Sequence, residues 1–142
     1  PASAARLAVM TTRVELPAPY LSPRNCVGSW VPRALTLSLD RALPRHAELI
    51  GGALGGAAWV TVPGELQTRL GRAVKEAARA TGVQGFVAGV SNDYLGYFLA
   101  PEDYARVTYI ACASLYGPEA GALVTRAASD LIRSLGAGSA QR

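Results

Sequence analysis

Glu65 follows an apolar run and a Pro63-Gly64 turn. That position suits a metal ligand or a general base, and a glutamate in the first turn of a helix is equally favoured by the helix macrodipole. Downstream, Tyr94, Tyr97, Tyr104, Tyr109 and Tyr116 are five of the chain's six tyrosines. Phenols so concentrated belong to a core or an interface, and their hydroxyls need polar partners wherever they are buried. Spacing alone leaves these readings open.

Other candidate chemistry is weaker. Ser91 stands in Gly89-Val90-Ser91-Asn92-Asp93, which lacks the second glycine of a nucleophile elbow, so it reads as a turn serine. The pairs Gly51-Gly52 and Gly55-Gly56 are followed by no Gly-Lys-Ser/Thr, and a tight turn is the better reading than a phosphate loop. The single histidine, His46, follows Pro44-Arg45 and reads as an exposed loop residue. Cys26 and Cys112 form no Cys-x-x-Cys pair, so no self-contained zinc finger can be built. They can pair only if the fold joins them, and the redox compartment stays open.

The elements that must position these residues sharpen after the first third. Six of the nine prolines fall within the first 44 residues, so residues 1–50 read as extended segments joined by proline-rich loops. Within them Arg6–Leu16 and the alternating Ala34–Leu39 read as strands, with a loop from Pro17 to Pro32 packed through Tyr20 and Trp30. Ala57–Val62 reads as a buried strand. From Glu65 to Ala80 the apolar residues Leu66, Leu70, Ala73, Val74 and Ala77 fall at helical spacing, and Gly82 closes that helix. Val83–Val90 is a second strand ending in the turn Ser91-Asn92-Asp93. After Gly117-Pro118 a helix carries Val124, Ala127, Ala128, Leu131, Ile132 and Leu135 on one face and ends at Gly136, leaving 137–142 as a frayed tail. This rhythm predicts a mixed α/β (α+β) fold, a β-sheet with amphipathic helices packed on it, with residues 51–136 as its strand-helix-strand-helix core. If the two strands are parallel, the loops at Gly64-Glu65 and Asn92–Tyr97 share one sheet edge, where sites collect.

Composition bounds the rest. The 142 residues are 50% hydrophobic and 17% charged, which describes one globular unit and excludes a disordered protein. Thirteen arginines and one lysine against ten acids give a net charge of +4, but they are scattered, without the clustered Arg/aromatic pattern of a nucleic-acid binder. The longest uncharged stretch, Leu49–Gly64, is too short and too glycine-rich for a membrane span. The chain starts at Pro1, and Met10 is its only methionine, so it reads as a piece of a longer translation product.

Four groups of residues, taken in order, carry a resemblance. They are Val62-Pro63-Gly64-Glu65 with Thr68 and Gly71-Arg72; Ala88-Gly89-Val90-Ser91-Asn92-Asp93-Tyr94-Leu95-Gly96-Tyr97; Pro101-Glu102-Asp103-Tyr104 with Tyr109; and Ala113-Ser114-Leu115-Tyr116-Gly117-Pro118. Together they resemble the neutral/alkaline ceramidase family, zinc-dependent amidases that cleave the N-acyl bond of ceramide. The match runs from Val60 to about Thr125 and fits the last third of that family's catalytic domain, while the first 50 residues match poorly.

The resemblance implies roles. Glu65 and Tyr97 would be zinc ligands, hard oxygen donors that leave the metal Lewis-acidic. Tyr109 would be the catalytic donor near the scissile carbonyl, with Asn92, Tyr94 and Tyr116 supporting the site. The family's two ligating histidines and its serine lie upstream and have no counterpart here; His46 is not in a matching context. The connection after Gly71 is also shorter than the family's, and its C-terminal immunoglobulin-like domain is missing. The implied picture is a C-terminal portion of a catalytic domain. It is inactive and a poor zinc binder alone, and it is completed by an N-terminal portion that supplies the histidines and serine. An N-acyl lipid would be the substrate, and the family's setting is secreted or membrane-surface associated. The rival expectation is a non-catalytic binding or scaffold domain that has lost the metal. As a fragment, the chain expressed alone should expose apolar surface from an interrupted core and tend to aggregate.

Overall fold

Alternation of buried and half-buried side chains along Leu49, Ile50 and Gly51, and again along Ala57–Thr61, is the signature of strands with one covered face. The computed structural model describes residues 7–140, with side chains to residue 138. Its elements are β1 (Leu7–Glu15), β2 (Tyr20–Leu21), α1 (Pro23–Val27), β3 (Leu37–Ser38), β4 (His46–Leu54), β5 (Ala57–Thr61), β6 (Glu65–Leu66), α2 (Thr68–Arg79), β7 (Gln84–Ala88), β8 (Tyr97–Phe98), α3 (Pro101–Tyr104), α4 (Tyr109–Cys112) and α5 (Ala120–Ala140).

The mixed α/β architecture is as expected. A four-stranded sheet has the order β1-β4-β5-β7; β4 is antiparallel to β1 and to β5, and β5 runs parallel to β7. Two small pairs stand beside it, antiparallel β2–β3 and parallel β6–β8. Helix α5 lies across β4, β1 and β5, and α2 packs on β7 and on α5. Between the helices and the sheet sit Leu49, Ala58, Val60, Val74, Ala78, Val124, Ala128 and Ile132, all fully or almost fully buried. Gly51 lets α5 close onto β4: a Cβ there would stand 2.6 Å from Leu135 Cδ1. Among the described residues no helix packs on the opposite face of the sheet.

Several local expectations are corrected. The helix expected from Glu65 starts at Thr68, because Glu65 and Leu66 are drawn into pairing with Tyr97 and Phe98. His46 is a half-buried strand residue, and β4, which runs through Gly51 and Gly52, was hidden by those glycines; only Gly55-Gly56 is the turn, with Gly55 at φ +59°. The expected strand Ala34–Leu39 shrinks to Leu37–Ser38, whose side chains are both exposed. Trp30 does not pack the front loop but is 77% exposed. Helix α5 does not stop at Gly136 but continues to Ala140, so residues 137–140 of the expected tail are helical. Gly136 fits because a Cβ there would strike Thr81 Oγ1 at 1.9 Å, a close helix approach that replaces the usual role of a terminating glycine. Residues 1–6 and 141–142, including Arg6 and the last two positions of the expected tail, lie outside the described residues.

Cys26 and Cys112 form a disulfide that joins α1 to α4 across 86 positions of sequence. The front segment is thereby fastened to the tyrosine-rich one. Asn25, 5% exposed, adds to that seam by donating to Tyr104 O at 3.1 Å.

Candidate functional site

Strand β5 ends at Thr61, and the chain then turns at Pro63-Gly64 into β6. The Glu65 amide donates to Gly96 O at 2.9 Å and the Gln67 amide to Phe98 O at 3.0 Å, so Glu65 and Tyr97 become register partners on parallel strands. Two glycines make this approach feasible. A Cβ on Gly64 would stand 2.4 Å from Gly96 O, and one on Gly96 would stand 2.4 Å from Ala113 O. Gly96 also has φ +85°, where a side chain is strained whatever the space.

The loop after β7 is laced to the same turn. Val90 and Ser91 donate their amides to Gly64 O and Val62 O at 3.0 and 3.1 Å. Val90 has φ +53°, a strained conformation for a β-branched residue. Asn92 takes φ +74° with less cost and donates Nδ2 to Thr61 Oγ1 at 2.8 Å. Ser91 Oγ donates to Gly89 O at 3.2 Å, the turn role expected of it.

These constraints bring four of the sequence candidates together. Tyr94 donates its hydroxyl to Glu65 Oε1 at 3.1 Å. The Tyr97 phenol is pushed up to about 12, first by its hydrogen bond with the Glu65 carboxylate and then by desolvation and the carboxylate's charge. Tyr94 is also raised, by desolvation first and Glu65 second. The Tyr109 ring stands edge-on to Tyr97 with centroids 6.0 Å apart, and Tyr109 is the first residue of α4, capped by the Thr108 side chain. A carboxylate that accepts from phenols, beside a third phenol open to solvent, can present oxygen ligands to a hard cation and an O–H to an anionic oxygen.

The two remaining candidates stand further back. Tyr116 is buried, stacked on Phe98 at 6.4 Å, and donates its hydroxyl to Pro44 O at 2.8 Å. It therefore packs beneath the β6–β8 pair. Asn92 holds the loop that delivers Tyr94. His46 bonds through Nδ1 to Arg13 Nη2 at 2.8 Å, on β4 and away from the tyrosine cluster.

Sequence reasoning missed a positioning pair. Gln67 donates to Asp103 Oδ2 at 2.6 Å and accepts from the Ala100 amide at 2.9 Å. Arg69 also pairs with Asp103, at 3.2 Å, and with Glu102. The Gln67 bond and the nearby arginines hold the Asp103 carboxyl below the usual range. No local pattern announces this clip, because its partners lie 36 residues apart.

No protein-family model matches the chain. Two solved structures that share this fold are ceramidases. The crystal structure of neutral ceramidase from Pseudomonas aeruginosa superposes with a TM-score of 0.69 at 17% identity, covering 92% of this chain and 28% of that one. A ceramidase complexed with C2 superposes with a TM-score of 0.64 at 16% identity, covering 94% and 30%. The chain thus has the fold of part of a neutral ceramidase and spans less than a third of each neighbour's length.

Zinc fits the donor chemistry here only in part. Glu65 and Tyr97 offer two oxygen donors where a protein zinc site uses three or four ligands. Among the described residues, no group of three or more His, Cys, Asp or Glu comes together to hold a metal ion. Nor is any helix among them long and apolar enough to cross a membrane.

Proposed function

We propose that this chain supplies part of the active site of a zinc-dependent amidohydrolase resembling neutral ceramidase. That enzyme would hydrolyse an N-acyl amide, a ceramide-like lipid, to a fatty acid and an amine once an N-terminal portion adds the histidine ligands and the serine. The observation that carries the reading is the register pair Glu65–Tyr97, with the Tyr94 hydroxyl on the same carboxylate and the Tyr109 ring against Tyr97. Shared fold with two ceramidases supports it.

In this reading Glu65 and Tyr97 hold the metal, which when bound supplies Lewis acidity toward water and the amide carbonyl. Tyr94 donates to one Glu65 oxygen and so orients the other. The exposed Tyr109 hydroxyl donates to the oxygen that gains charge as the carbonyl is attacked. Two protein donors cannot retain zinc well, so the chain alone is inactive.

A second reading is a binding or scaffold domain on the same fold without metal, since among the described residues no group of three His, Cys, Asp or Glu forms around Glu65. Elemental analysis of the chain purified together with the polypeptide encoded upstream of it separates the two. The enzyme reading expects one zinc per complex, loss of it in Glu65→Ala, weakening in Tyr97→Phe, and hydrolysis of an N-acyl sphingoid base. A stable complex without zinc supports the scaffold.

A further inference from the structure

The face of the sheet opposite α2 and α5 is apolar over one half of its length. Register places Val9, Gly52, Trp59 and Phe86 in one row across all four strands, and Leu7, Leu54, Ala57 and Gln84 in the next. Leu7, Val9, Leu54 and Phe86 are 62, 58, 45 and 51% exposed. Trp59 lies flat across Gly52, where a Cβ would stand 2.2 Å from its ring, so the middle of the row is level. A contiguous apolar surface on a regular sheet is the inner half of a sheet-on-sheet core.

Polarity along this face has a direction. Arg13, Glu15, His46 and Glu48 lie at the end of β1 and β4 where β5 finishes, the end from which the chain turns toward Glu65. Arg13 hydrogen-bonds His46 at 2.8 Å and forms an exposed ion pair with Glu15 at 3.6 Å. The apolar rows therefore lie toward the Leu7–Leu54 end of the sheet, and the charged groups lie toward the end from which the chain leads on to Glu65. A layer seated on the apolar rows and continuing along the strands meets polar groups of both signs as it nears Glu65 and Tyr97.

We propose that this open face is the docking surface for a second β-sheet layer, contributed by the polypeptide that supplies the missing zinc ligands. The inference rests on the function proposed above. It commits to that occupant for two reasons: the matching fold occupies less than a third of each ceramidase chain, and the face turns from apolar to charged toward the sheet end from which the chain leads to Glu65. A second copy of this chain could cover the apolar rows but would leave both sites short of zinc ligands.

The test uses the natural gene product or complex containing this chain, with Trp30→Phe leaving Trp59 as the only tryptophan in this part. Val9→Glu and Phe86→Glu alter exposed side chains, so the chain's own helix-side core is untouched; Arg72→Glu on the outer face of α2 is the control. The expected result is at least a tenfold loss of association with the upstream polypeptide in Val9→Glu and Phe86→Glu and none in Arg72→Glu. Trp59 should also be protected from acrylamide in the complex and exposed in the chain alone. Glu65→Ala must keep association while losing zinc, so failure of the zinc reading with intact docking is visible as such. Unchanged association in both face variants would overturn the proposal. So would self-association of the chain that Phe86→Glu abolishes, since that assigns the face to a second copy.

Discussion

Gln67 and Asp103 are joined by a 2.6 Å hydrogen bond that ties the start of α2 to α3, and the two segments it fastens are those that carry Glu65 and lead into Tyr109. The same glutamine accepts from the Ala100 amide. One side chain thus locks β6, α2 and α3 together.

Replacing Gln67 with Ala removes both bonds. The lost bond to the Ala100 amide alone should cost about 1 kcal/mol, and thermal unfolding should shift down by roughly 3 °C or more. Gln67→Glu keeps an acceptor for Ala100 but sets a second carboxylate against Asp103. It should be the worse variant near neutral pH and recover as the medium is acidified. A calorimetric series of both variants at pH 7 and pH 4 checks the order.

Gly96→Ala should disrupt the site more than its size suggests. The new Cβ meets Ala113 O at 2.4 Å in a backbone region with φ +85°, and crowding plus strain together cost about 1–3 kcal/mol. Because Glu65 donates its amide to Gly96 O, the β6–β8 pair should open first. Hydrogen exchange at the Glu65 and Gln67 amides should quicken well before that of β4 and β5.

Loss of the Cys26–Cys112 bridge releases a loop of 86 positions. The chain-entropy estimate for a loop of that size is about 4–5 kcal/mol. The double variant Cys26→Ser/Cys112→Ser should therefore unfold at much lower denaturant. Limited proteolysis should cut first between Pro23 and Leu39, where the remaining structure is two short elements.

Alkali should destabilise the fold through its buried phenols. Desolvation pushes Tyr116 up to about 12, and Tyr104 is raised too, by desolvation and its bond to Tyr20. A folded pKa above the unfolded value of about 10 means that the contribution is complete below pH 10 and is lost as pH rises through 12. Tyr116→Phe gives up the bond to Pro44 O, about 1 kcal/mol at neutral pH, and should show a shallower fall in stability between pH 10 and 12. Denaturant midpoints across that range, followed by circular dichroism, measure both effects.

Much of this was legible in the residues. The apolar run at Ala57–Val62, the heptad-like spacing in α2 and the α5 stripe report burial on one face, and burial is what periodicity encodes. Glu65 and Tyr97 were legible as a pair only through the order of the motifs around them, since a two-residue parallel ladder has no period of its own. Strand β4 was obscure for a different reason: Gly51 and Gly52 are there for what crosses them, Leu135 on one face and Trp59 on the other. The Gln67–Asp103 clip and the cystine are contacts between distant segments, and no local pattern encodes them.

The cystine also sets a condition on biosynthesis. Cys112 leaves the ribosome 86 residues after Cys26, an interval of roughly 4–17 s at about 5–20 residues per second. Throughout it Cys26 is an unpaired thiol in an unfinished chain, while β1, β4 and β5 already present their apolar rows. An oxidant that acts too early can pair it only with a thiol other than Cys112. Correct pairing therefore depends on α4 docking against α1 before oxidation, and yield during recombinant production should rise with a disulfide isomerase more than with a stronger oxidant.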